Sequence, residues 1–300
     1  MLTRTGDLAQ SAYATQLLLE AQTRSRGTQI QISTGKVATQ FSVIADSTNR
    51  LVSAKDALQR IQQFQANNQL VDGRLQVMES STASLVEIAS QLRVLLIQRL
   101  DSAQRVPGII TPGAQHLLEQ AVADLNVELD GRHLFAGART DTAPVVLDPA
   151  FSGFGAPDAT FYQGDAIELS VRADVDQDLA YGMTADRAGF RELIGALRAT
   201  VEGDGSDDQA LLESALDLVN AALPKITGYR SELGARQAAL ERINLGHGDA
   251  ELYLQHQISD IEDVDLTEAI TRLSQDQMVI ESAMATIAQL SRLSLVDFLR

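Results

Sequence analysis

From Leu266 onward the apolar residues fall at Leu266, Ile270, Leu273, Ile280, Met284, Ile287, Leu290 and Leu293. The steps are threes and fours once Gln277 is accepted as a polar occupant, so the segment reads as one narrow coiled-coil stripe. Ile258 and Ile261 carry it backward, and no Gly or Pro interrupts residues 257–300. A helix of that length is a rod of roughly 60 Å. A rod at a chain end cannot bury its stripe alone, and the partner that the chain itself offers is its other terminus.

That terminus is a weaker helix, from residue 2 to about 31. Leu8, Ala12, Thr15 and Leu19 make its stripe, and several seam positions are small or polar. Such a helix gains stability only by packing. Ser33-Thr34-Gly35-Lys36 ends it, with Gly35 suited to the left-handed position after the last turn. Val37 to Ile44 reads as an extended or irregular connection. A long helical region follows, capped by Asp46 or Ser47. Leu51, Ala54, Leu58, Ile61 and Phe64 give its first stripe, and Leu75, Met78, Leu85, Ile88, Leu92 and Leu96 give its second. Asp72-Gly73 between them reads as a kink or break. Pro107, Gly108 and Pro112 mark a turn, and His116 to Leu129 reads as another helix.

After Gly131 the pattern changes. Residues 131–182 collect Gly, Pro, Asp and half of the Phe. Ile167, Leu169 and Val171 alternate with polar residues, which is the period of a half-buried strand. Gln163-Gly164-Asp165 before them is a turn. Helical spacing returns from Ala185, with a face of Phe190, Leu193, Ile194, Leu197 and Val201. Gly203 to Asp208 reads as a polar loop. Leu212, Leu216, Val219 and Leu223 form a helix expected to stop before Pro224, and Gly246-His247-Gly248 loosens the chain ahead of the terminal rod.

The expected fold class is therefore mainly α: a long antiparallel helical bundle and coiled coil built from both termini, with a small β-rich insert in the middle. The expected segments are 1–45 and 257–300 as the two halves of a terminal coiled-coil domain, and 46–130 and 184–256 as the helices of a core domain. The β-rich insert is 131–183. The candidate interface residues are Leu8, Ala12, Leu19, Leu266, Ile270, Leu273, Ile280, Met284, Ile287 and Leu290.

Composition narrows the function. Aromatic residues make up 4% and Trp is absent, which favours helices packed through aliphatic residues. A net charge of −16 disfavours nucleic acid, whose phosphates demand a basic surface. There is no Cys, hence no disulfide and no thiolate metal site. No apolar run approaches the ~20 residues needed to span a bilayer. The apolar cluster Leu17-Leu18-Leu19 is too short and interrupted for a signal peptide, so export would need another route. The C-terminal rod carries Asp260, Glu262, Asp263, Asp265, Glu268, Asp276 and Glu281, and lacks the basic face of a membrane-surface helix.

Catalytic constellations are missing. His116, His133, His247 and His256 make no H-E-x-x-H pair. Asp174, Asp176 and Asp178 begin like a calcium loop but meet Leu179 and Ala185 where Gly and Glu are required. Asp204, Ser206 and Asp208 fail in the same way and read as solvated loop acids. Gly153-x-Gly155 and Gly203-x-Gly205 lack the third glycine of a dinucleotide fingerprint. No enzyme, cofactor or metal is expected.

Two terminal stretches carry a resemblance. Gln29-Ile30-Gln31-Ile32-Ser33-Thr34-Gly35-Lys36 and Ile261-Glu262-Asp263-Val264-Asp265-Leu266-Thr267-Glu268-Ala269, with Gln277 and Ser294-Leu295-Val296-Asp297-Phe298-Leu299, resemble the bacterial flagellin family, in order and at the right ends. Asp72-Gly73 falls where that family often has Asp-Gly. Gly131-Arg132-His133-Leu134-Phe135-Ala136-Gly137, Thr140-Asp141-Thr142-Ala143-Pro144 and Phe161-Tyr162-Gln163-Gly164-Asp165 are similar to the middle of its hook-associated members. His133 stands in place of a Tyr there, and Val145 in place of a Phe. The resemblance implies a structural role where the flagellar hook meets the filament, with a filament subunit as the alternative. It implies termini that are disordered in the monomer and form a coiled coil when sister subunits stack. The implied partners are those sister subunits, a neighbouring hook-associated protein, flagellin and a flagellar export chaperone, with export through the flagellar type III channel. Neither nucleic acid nor membrane is expected as a partner. An intracellular coiled-coil adaptor is the reading from a different class.

Overall fold

A computed structural model describes residues 2–37, 45–101 and 106–298, with the backbone alone for 2–11, 45, 46 and 290–298. The elements in chain order are α1 (Leu2–Thr34), α2 (Ala45–Asp101), α3 (Thr111–Leu125), β1 (Glu128–Leu129), β2 (Arg132–His133), β3 (Ser170–Asp174), β4 (Gln177–Ala180), α4 (Ala188–Ser206), α5 (Gln209–Glu262) and α6 (Leu266–Phe298). The mainly helical class with strands confined to the middle is as expected. Two compact units emerge, Met1–Gln59 with Glu251–Arg300, and Arg60–Ala250, so α2 and α5 each contribute to both.

In the central unit α2 and α5 run antiparallel. Arg230 Nε donates to Glu79 Oε1 at 2.6 Å, and Asn68 Nδ2 to Asn244 Oδ1 at 2.9 Å. The core is one aliphatic cluster: Leu75, Leu85, Leu92 and Leu96 of α2, Leu125 of α3, Leu193 and Leu197 of α4, and Val219, Ile226, Leu233 and Leu240 of α5. Phe135, Phe161 and Phe190 are fully buried in it.

This packing overrides several breaks expected from sequence. α2 passes through Asp72-Gly73 without interruption. A glycine there costs about 1 kcal/mol relative to alanine, and burial of Val71, Leu75 and Met78 on the inner face outweighs it. α5 likewise contains Pro224. Proline removes one backbone bond, to the carbonyl four residues back, and that residue, Asn220, is exposed to solvent. Gly246-His247-Gly248 is also helical. His247 is buried, stacks on Phe64 at 5.7 Å between ring centroids, and its Nε2 lies 2.9 Å from the Ala173 carbonyl.

α3 ends at Leu125, so Leu129 belongs to β1 and not to a helix. β1 and β2 form a hairpin whose two turn residues, Asp130 and Gly131, have φ of 53° and 73°. α2 is described from Ala45, which places Asp46 and Ser47 inside it instead of at a cap. Of the expected Val37–Ile44 connection, residues 38–44 lie outside the described residues.

α4 runs to Ser206, past the expected loop at Gly203, and closes on Asp207 in a left-handed conformation. Asp204 is therefore no solvated loop acid. Its side chain is fully buried against Arg99, 2.7 Å from Nε. Its other oxygen accepts from the Ile110 and Thr111 amides, both at 2.9 Å, and from Thr111 Oγ1 at 2.8 Å. These are the free N–H groups at the start of α3, so a carboxylate from α4 caps a helix nearly a hundred residues earlier. Burial opposes its charge, but the bonds from Arg99, Thr111 and Ile110 win and hold its pKa below the usual carboxylate value.

The middle segment is less strand-rich than its composition suggests. The expected strand begins late: β3 is Ser170–Asp174, pairing antiparallel with β4, and Ile167 ahead of it is exposed. Val171 and Ala173 keep the inward alternation. Asp174, Asp176 and Asp178 sit in this hairpin, and among the described residues no cluster could hold a metal ion. Elsewhere the segment is held by backbone crossings. Asp165 N donates to Ala136 O at 3.1 Å, and Tyr162 Oη to Asp165 O at 2.5 Å. Burial pushes the Tyr162 hydroxyl up to about 12. A Cβ on Gly164 would lie 2.4 Å from Ala136 O, so glycine is required at this turn.

Candidate assembly interface

The terminal unit brings together the two turns singled out in the sequence. α1 ends at Thr34, and Gly35 at φ 72° donates its amide to Gln31 O at 2.8 Å, the expected helix-terminating glycine. Beyond it, Val264 N donates to Gly35 O at 3.0 Å and Val37 N to Glu262 O at 2.7 Å. The expected rod from Gln257 is thus divided. Residues 257–262 finish α5, a turn follows, and α6 starts at Leu266. Asp265 makes that turn favourable by accepting from the Thr267 and Glu268 amides at 2.8 and 3.1 Å, a helix cap that depresses its pKa.

Four charges fasten this junction. Lys36 Nζ lies 2.6 Å from Asp263 and 3.3 Å from Glu262, and Lys55 of α2 also bonds Glu262. The bond to Asp263 is the main cause that raises the Lys36 amine. Lys55 and then Lys36 hold Glu262 low, and Lys36 and Ser259 hold Asp263 low. All four side chains keep solvent contact, so screening limits what each pair contributes.

From this root α1 and α6 pack antiparallel. Arg24 Nε meets Asp276 Oδ1 at 3.1 Å. Farther out, Ala14 and Leu17 share a groove with Val279 and Ala283. On α1 the positions turned inward are Ala14, Leu18, Ala21, Ser25, Thr28 and Ile32, and on α6 Ala269, Leu273, Asp276, Ile280, Ala283 and Ile287. Both series step by fours and threes, a heptad seam. Stepping from the Arg24–Asp276 contact sets them in layers: Ala14 with Ile287, Leu18 with Ala283, Ala21 with Ile280, Ser25 with Asp276, Thr28 with Leu273, and Ile32 with Ala269. All but one of these layers set a large residue against a small one.

The candidate residues divide between this seam and the surface. Leu273, Ile280 and Ile287 face α1. Leu266, Ile270 and Met284 are exposed, as are Ala12 and Leu19. Leu8 and Leu290 lie on α1 and α6, with side chains outside the described part. The polar seam occupant is Asp276, not Gln277, which is exposed. Asp276 can occupy the seam because Arg24 reaches it from the flank. The α1 stripe expected from Leu8, Ala12 and Leu19 lies roughly a third of a turn from the buried one, at 100° per residue. The fully buried positions of that stripe are Ala14, Ala21, Ser25 and Thr28, small residues that hydrophobicity patterning does not register.

Among the polar residues that remain outside, several large apolar side chains are exposed. Tyr13, Leu19, Met278 and Met284 are 64%, 58%, 62% and 50% exposed. Tyr13, Leu17, Met278 and Val279 line one open groove of about 430 Å³ along the pair. Contiguous exposed apolar surface of this kind marks an interaction site. Among the described residues no helix is long and apolar enough to cross a membrane.

Comparison with known proteins agrees with this layout. Residues 216–299 match the bacterial flagellin C-terminal helical region. Flagellar hook-associated protein 3 of Escherichia coli (strain K12) is 24% identical over 193 residues, 55% of this chain and 57% of that protein, so the chain aligns with little more than half of that relative. The flagellar filament 33 kDa core protein of Treponema phagedenis is 25% identical over 253 residues, 81% of each chain. The solved flagellar junction protein FlgL of Legionella pneumophila shares the fold at 15% identity and a TM-score of 0.53, over 71% of this chain and 99% of its own. The chain thus carries, over residues 216–299, a segment similar to the C-terminal helical region of bacterial flagellins, and it shares its fold with a solved FlgL.

Proposed function

We propose that the chain is a structural subunit of the bacterial flagellum, outside the cell where hook meets filament, and not an enzyme. The observation that carries this is the terminal pair. Its two helices pack large residues against small ones and leave Tyr13, Leu19, Met278 and Met284 uncovered, a surface that sister subunits would cover. Head-to-tail contacts between such surfaces do not close on themselves, so they build helical tubes. Leu266, Ile270, Met284, Ala12 and Leu19 are then contacts between subunits, and Leu273, Ile280 and Ile287 contacts within one. A hook-associated neighbour, flagellin and an export chaperone complete the partners. Deleting residues 265–300 should leave hooks bare of filament, and normal filament growth on that mutant would refute the proposal.

The match over 81% of a filament core protein supports a second reading, a filament subunit. Abundance separates the two. A junction subunit is scarce in sheared filaments, whereas a filament subunit dominates them.

A further inference from the structure

We propose that Asp276 sets the register of the terminal helix pair. The apolar part of the seam cannot do this. Ile280 and Ile287 are seven residues apart, and so are Ala14, Ala21 and Thr28 on the facing helix. Sliding α6 along α1 by one heptad, a shift of roughly 10 Å, therefore presents Ile280 to Ala14 or Thr28 instead of Ala21. A large residue still meets a small one, and the packing is nearly preserved.

Asp276 distinguishes the registers. In the observed one its side chain is 13% exposed and 3.1 Å from Arg24, which by heptad stepping puts it in the layer of Ser25. One heptad either way places it against Leu18 or Ile32, and Arg24 is then out of reach. A carboxylate pressed on an aliphatic side chain without a partner is strongly disfavoured. A single polar residue in an otherwise apolar seam is a known means of specifying register at some cost in stability. The proposal rests on the pairing of α1 with α6, not on the assembled flagellum.

The absence of cysteine allows a direct test in the full-length chain. Ala21→Cys with Ile280→Cys reports the observed register, and Thr28→Cys with Ile280→Cys reports the slipped one. Intrachain disulfides are read by mass after mild oxidation in dilute solution. With Asp276 present, the first pair should close and the second should not. Adding Asp276→Ala should raise closure of the second pair by about tenfold or more, the scale of one charge-assisted hydrogen bond. Asp276→Glu, which keeps the charge, should hold it down. If the slipped pair stays open with Asp276→Ala while the first pair still closes, the register is set at the Gly35–Val264 junction and the proposal is wrong. Failure of the first pair to close in the otherwise unaltered chain would also overturn it.

Discussion

Replacing Asp204 by alanine should destabilise the central unit far more than any other acid described here. Its carboxylate is buried, holds Arg99, itself only 3% exposed at the side chain, and satisfies two amides and a hydroxyl at the start of α3. Removing one partner of a buried ion pair strands the other charge, at a cost of about 3–5 kcal/mol, within which the lost helix cap accounts for ~1. In a unit of this size that lowers the thermal midpoint by about 10 °C. Urea unfolding followed by circular dichroism measures it. Arg99→Met with Asp204→Leu should recover most of the loss, because two apolar residues leave no stranded charge. The pH dependence carries a sign. The folded pKa of Asp204 lies below its unfolded value, near 3.9, so its contribution is present above that pH and drains away as pH falls through the folded value. The alanine variant should therefore lose part of the stability change below about pH 4. A loss under ~1 kcal/mol, typical of a surface substitution, would refute the assignment of a cap and buried pair.

Other expectations follow from the same geometry. Gly164→Ala should cost about 1–3 kcal/mol, read as a lowered urea midpoint, because its Cβ would meet Ala136 O at 2.4 Å; an unchanged midpoint would mean that the turn relaxes freely. Asp176→Asn, in the exposed hairpin, should leave that midpoint within about 0.5 kcal/mol of the parent. Ile280→Asp should abolish polymerisation while the central unit keeps its cooperative unfolding; polymers of that variant would show the seam to be misassigned. Glu262 and Asp263 have depressed pKa values and Lys36 a raised one. Their junction should therefore weaken below about pH 4.5 and again above about pH 10. Hydrogen exchange at the Val37 and Val264 amides reports this, and Lys36→Met should flatten the profile.

The long helices and the terminal pairing were legible because aliphatic residues at three- and four-residue spacing dominate those segments, whereas the middle, expected to be β-rich, holds only short strand pairs. Breakers were the weak point. The dipeptide Asp-Gly occurs twice with opposite outcomes. At Asp72-Gly73 the flanking residues keep helical period and α2 continues. At Asp130-Gly131 the flanks pair as strands and the chain reverses. Pro224 shows the same rule, since a lost backbone bond on the wet side of α5 is outweighed by the buried side. The Asp204 cap was not legible, because its partners come from Arg99, Ile110 and Thr111, about a hundred positions away. Nor was the buried face of α1. Its small residues pack through shape, which sequence hydrophobicity does not record.

The way α1 and α6 meet has a consequence for the order of events. With alanine, serine and threonine at the fully buried positions of α1, this helix pair has limited adhesion of its own, while tyrosine, leucine and methionine remain on the outside. The larger hydrophobic reward comes from company. Neighbours arriving at the outer surface would tighten the inner one, so the pair should firm up after docking begins. A growing tube would then accept each newcomer while it is still pliant and stiffen it only once it is in place.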